Sequence, residues 1–99
     1  MLGNTIETYF YHGYYYTWHH EPQNEYERRH ISIQEAVRVI NRDDSTVEEQ
    51  IEYDPPRNKF IGLSSVGIIT VITDHTIQRI ITAWHSSTAE INEWLRDQH

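Results

Sequence analysis

The sequence contains no cysteine, which excludes disulfides, thiol nucleophiles and zinc–thiolate sites and leaves packing as the source of stability. Nothing in it points to an oxidising compartment. A long hydrophobic run is also missing. The densest apolar stretch, Gly67 to Ile72, falls far short of the roughly 20 residues that cross a bilayer, and the amino terminus has no basic start leading into an apolar core. The expectation is a cytoplasmic protein without membrane association. Basic residues are scarce: eight face fifteen acidic ones, for a net charge of −7. Such a balance repels a phosphate backbone on average, so any nucleic-acid site must be local. No glycine-flanked nucleophile turn or phosphate-cradling loop occurs, which leaves hydrolase and nucleotide-binding classes without a motif.

What is present suits one domain. A chain of 99 residues buries roughly two-thirds of its unfolded surface, enough for a single core without staples. From Thr5 to His19 the run "TIETYFYHGYYYTWH" is crowded with β-formers and broken only at Gly13, which predicts a bent strand or a hairpin. Its tyrosines cannot all enter a small core. Tyr14 and Tyr16 are therefore candidates for a partner surface or a homodimer contact, since tyrosine suits a boundary with one apolar and one wet side. Pro22 can open a short helix, "PQNEYERRH", and Ser32 and Glu35 have capping-box spacing at the start of "SIQEAVRVI". In this second helix Ile33, Ala36, Val37 and Ile40 recur at helical spacing, and Arg38 and Arg42 lie off that stripe.

A half-wet strand is expected over "STVEEQIEYD", residues 45–54, before Pro55 and Pro56. "NKFIGLS", "GIITVIT" and "TIQRIITAW" then read as an antiparallel meander. Ser87 and Glu90 form another capping box ahead of a helix with Ile91, Trp94 and Leu95 on its apolar face. The predicted architecture is a small single α+β domain over residues 1–99. It has an N-terminal strand or hairpin, two short helices, an antiparallel sheet of three to four strands and a C-terminal helix.

Carboxylates concentrate in one stretch: Asp43, Asp44, Glu48, Glu49, Glu52 and Asp54. They read either as the solvated edge that guards a sheet against aggregation or as a docking face for a basic partner, with Asp43, Asp44, Glu48, Glu49 and Glu52 as its contacts. His12, His19, His20 and Glu21 hint at a metal site. Adjacent strand residues point to opposite faces, however, and neither His-x-His nor helical His-x-x-x-His spacing occurs, so no metal and no cofactor are expected.

Two stretches resemble a known family. "ERRHISIQEAVRVI" is similar to the "KHGVSFEEA" region of the BrnT toxins, and "RNKFIGLSSVGIITVITDHTIQRIITAWHSSTAEINEW" to their "ERF…IG…G…VVY…RIISAR…A…E…Y" half, in the same order. BrnT proteins are ribonuclease toxins of bacterial toxin-antitoxin pairs, with a small α+β fold like that of RelE and ParE. The resemblance implies that fold, an RNA substrate and a cognate antitoxin as partner. It places Arg29 near the family lysine, Arg57 at the arginine before the "F…IG" strand and Arg79 at the first arginine of "RIISAR". Trp84 occupies the position of the second arginine, and an indole cannot grip a phosphate as a guanidinium does.

Metal-independent RNA scission needs a base for the 2′-hydroxyl, cations for the phosphate and an acid for the leaving oxygen. Histidine suits acid–base work near neutrality. The catalytic candidates are His85, His30, His20 and Arg79, with Arg29, Arg57 and Arg79 as the phosphate clamp. Strict alternation puts Arg79, Ile81, Ala83 and His85 on one strand face and Trp84 on the other. The expectation is thus a toxin-like endoribonuclease. The alternative is a non-catalytic acidic protein on the same fold, such as a phage or mobile-element inhibitor of the anti-CRISPR kind, that offers carboxylates where a nucleic-acid-handling protein expects phosphates.

Overall fold

The computed structural model describes residues 5–20 and 31–98, with side chains given for 6–19 and 31–98. Strands β1 (Thr5–Tyr11) and β2 (Tyr14–His20) form the hairpin foreseen at Gly13. Its two turn residues, His12 and Gly13, have φ of 49° and 86°, the positive values that a two-residue turn matched to strand twist requires. The helix expected over 22–30, with Arg29 and His30, lies outside the described residues.

Helix α1 (Ile33–Asn41) begins where the capping spacing placed it: the Ser32 hydroxyl accepts from the Glu35 backbone N–H at 3.3 Å. Ile33, Ala36 and Val37 are buried as the stripe predicts, and Val39 joins them. Its burial is tertiary. Val39 faces Gly62, where an added Cβ would meet Val39 Cγ1 at 3.1 Å and press on the Ser45 hydroxyl.

The remaining strands are β3 (Thr46–Gln50), β4 (Arg57–Ser64), β5 (Gly67–Thr73) and β6 (Arg79–His85), followed by α2 (Thr88–Asp97). The half-wet strand stops at Gln50, and Tyr53 N–H donates to Gln50 O in the turn beyond it. β3 to β6 form the antiparallel meander. The sheet is nevertheless larger than the expected three or four strands. It has six, in the order β1-β2-β6-β5-β4-β3, and it is mixed, because β2 runs parallel to β6. That pairing joins segments some sixty positions apart, so no local pattern announces it.

The sheet has two faces. On one, Tyr16, Trp18, Phe60, Ile69, Val71, Ile80 and Ala83 pack with Ile31 and the buried stripe of α1. Ile61, Thr70 and Ile72, also buried, belong to the other. There α2 is held largely by polar contacts: Trp94 Nε1 donates to Asp44 O at 2.9 Å and Thr46 Oγ1 to Asp97 Oδ2 at 2.7 Å. No α2 residue is fully buried. Among the described residues no helix is long and apolar enough to cross a membrane.

Candidate functional site

Cross-strand partners share a face and neighbours along a strand alternate, which fixes where each candidate side chain stands. Lys59 meets Glu90 of α2 at 3.2 Å, so Arg57, Lys59 and Ile61 lie on the α2 face. Along β6 the register slips: Thr82 pairs with Ile72 but Ile80 pairs with Thr73, leaving Ile81 as the extra residue of a bulge. Ile80 and Ala83, three apart, therefore both enter the α1-side core. The bulge separates two residues expected on one face. His85 pairs with Ile69 on the α1 side, whereas Arg79 pairs with Thr17 on the α2 side, opposite the Trp18–Ile80 pair. Arg79 shares its face with Trp84, and His85 does not join it.

The α2 face does bring two of the three clamp arginines together. Arg57 and Arg79 line one cleft of about 260 Å³ with Asp54, Pro55, Pro56, Asp74 and Ile81. The Arg57 guanidinium lies 4.2 Å from the centre of the Tyr53 ring, a separation at which the ring quadrupole attracts the cation. Among the described residues neither arginine forms an ion pair within 4 Å. Asp74 is held in place by Thr76, whose backbone N–H and hydroxyl both donate to Asp74 Oδ1, at 3.1 and 2.7 Å. Asp54 was expected only as part of the acidic stretch, and nothing in the local pattern singles out Asp74. Both lie between strands, and only the pairing of β5 with β4 and with β6 gathers them.

Other candidates are dispersed. His20 has a described backbone in β2 but no described side chain, and Arg29 and His30 fall outside the described residues. Tyr14 is exposed near the hairpin turn. Tyr16, expected at a partner surface, is 5% exposed in the core, and Asn41 Nδ2 donates to its hydroxyl at 3.3 Å. Its burial follows from alternation, which aligns it with Trp18 toward α1.

Trp84 has a structural partner: its Nε1 donates to Glu90 Oε1 at 3.0 Å. The same carboxylate accepts from Ser87 N–H at 2.8 Å, closing the capping box. Burial works to raise the Glu90 pKa, but the Ser87 N–H, the Trp84 indole and Lys59 outweigh it and hold the carboxyl below its ordinary value. The carboxylates of the acidic stretch sit along an edge, since β3 is the last strand of the sheet. Asp43, Glu48, Glu49, Glu52 and Asp54 are exposed, while Asp44 is tied to Arg42 by two hydrogen bonds of 2.8 Å.

Comparisons with protein-family models, curated proteins and solved structures found no match to this chain.

Proposed function

We propose that the protein is a toxin-like endoribonuclease that grips the RNA backbone in the Arg57–Arg79 cleft. The observation that carries this reading is that two arginines, from strands separated by β5, line one cleft. Guanidinium groups hold phosphate oxygens through paired, charge-assisted hydrogen bonds. With His85 on the opposite face, the base we assign is Asp74, whose Oδ1 is fixed by Thr76. A positioned carboxylate can take the 2′-hydroxyl proton. The 2′-oxygen then bonds to phosphorus and the bond to the 5′-oxygen breaks, leaving a cyclic phosphate; the departing 5′-oxygen takes a proton from water, and the hydroxide formed takes the proton from Asp74 and restores its carboxylate. The likeness of the sequence motifs to those of the BrnT toxins favours the same reading, and Trp84 serves the helix cap instead of the phosphate.

Expression of the wild type should arrest growth, and the purified protein should cut RNA in the presence of a chelator. Arg79→Gln and Arg57→Gln should relieve both effects, while Asp74→Asn should abolish cutting and retain RNA binding. Intact RNA after incubation with folded wild type would remove the proposal.

A second reading rests on the β3 edge, where exposed carboxylates line the last strand of the sheet. It makes the protein an acidic ligand for a basic partner, with phosphate-like charge spacing as the recognised feature. Binding to that partner should weaken with salt and with the combined substitution Glu48→Gln, Glu49→Gln and Glu52→Gln. Affinity indifferent to all three changes would exclude this edge.

A further inference from the structure

A second cleft, of about 330 Å³, opens on the other side of the sheet between β1 and α1. It is lined by Tyr9 and Tyr11 from the strand and by Gln34, Arg38, Asn41 and Arg42 from the helix side, with buried Val37 between them. Tyr9 pairs with core Tyr16, so Tyr9 and Tyr11, two residues apart, share the α1 face. Their rings stack with centroids 6.2 Å apart and planes at 16°, forming a half-buried aromatic wall. Gln34, Arg38 and Asn41 recur at helical spacing and make the opposing polar wall. Asn41 Nδ2 donates to Val37 O at 2.9 Å as well as to Tyr16, which orients the amide and leaves its carbonyl oxygen as an acceptor.

The two arginines of this cleft differ in availability. Arg42 is engaged by Asp44 through both Nε and Nη2. Arg38 stands 3.6 Å from Glu35, and its side chain is 56% exposed. Glu35 is already committed, since both its oxygens accept from Ser65, one from the backbone N–H and one from the hydroxyl. Arg38 is thus a cation held loosely at the rim.

Aromatic faces stack bases, amides read base edges and a guanidinium takes a phosphate. The volume sits at the lower end of the roughly 300–1,000 Å³ of small-molecule sites, room for one nucleotide and not for a strand. We propose that this cleft binds a nucleoside monophosphate, its base against Tyr9 and Tyr11 and its phosphate on Arg38. The site lies across the sheet from the Arg57–Arg79 cleft and stands whether or not the ribonuclease reading does.

Calorimetric titration of the intact chain with adenosine 5′-monophosphate tests it. Saturable binding is expected, with adenosine weaker by about tenfold and Arg38→Gln reducing the nucleotide affinity to a similar extent while leaving adenosine unaffected. Arg79→Gln should bind as the wild type does, and the side-chain amide of Asn41 should shift in NMR spectra on addition of the nucleotide. Absence of saturation at millimolar nucleotide would overturn the proposal, as would Arg38→Gln behaving like wild type or binding lost in Arg79→Gln. An oligonucleotide binding where the monophosphate does not would overturn it too.

Discussion

Glu90 shows how one carboxylate can tie a helix to a sheet. It caps α2, accepts from Trp84 and pairs with Lys59, and its folded pKa lies below the ordinary value. A carboxyl of this kind stabilises the fold above the unfolded-state pKa of about 4.3, and that contribution is lost as pH falls through the folded value. Glu90→Gln should therefore lower stability at pH 7, and the gap from wild type should narrow as pH drops from about 5, as urea denaturation at a series of pH values would show. Glu35 is lowered too: burial works to raise its pKa, and the Ser65 hydrogen bonds and Arg38 more than offset it. Trp84→Phe keeps an aromatic ring but removes the N–H donor and part of the packed surface, so it should cost at least about 1.5 kcal/mol, the lower end for a hydrogen bond to a charged group. An unchanged unfolding midpoint would show that Trp84 does not anchor the helix.

Between elements, close approach decides more than propensity. Gly62 lets the link between α1 and β3 lie directly over β4, where Ser45 Oγ donates to Val39 O at 2.6 Å. Gly62→Ala should destabilise by about 1–3 kcal/mol, because an added methyl overpacks a site already in contact; thermal unfolding measures it. Ser32→Ala should cost about 1 kcal/mol through the lost cap of α1. The β6 bulge sends Arg79 and His85 to opposite faces. Deleting Ile81 would restore strict alternation, and the variant should either unfold or lose the Arg57–Arg79 cleft. Nearby, β-branched Ile77 holds φ at 70° and packs against the core, a conformation that only surrounding contacts can sustain.

At the scale of the molecule, charge is unevenly placed: carboxylates line the β3 edge, while Arg57 and Arg79 share a cleft on one face. Changing Glu48, Glu49 and Glu52 to Gln moves the net charge from −7 toward neutrality. If these residues guard an open edge, the triple variant should self-associate in sedimentation as concentration rises; if it stays monomeric, protection against strand pairing is not their role. The opposite edge, β1, carries Ile6 and Phe10 exposed on the face away from α1.

Much of the architecture was legible from residues alone. Ser32 and Ser87 mark helix starts because capping is a matter of neighbours within one turn. Gly13 marks the hairpin, and the apolar runs after Pro56 mark the meander. A chain without cysteine could be expected to rely on packing. Which residues meet was settled by long-range packing. Parallel pairing of β2 with β6 extends the sheet to six strands, the bulge at Ile81 reverses the phase of β6, and the burial of Tyr16 takes it from any partner surface. The reason is physical: alternation and capping are set by adjacent residues, whereas strand order and register depend on contacts between segments that approach only when the chain has folded.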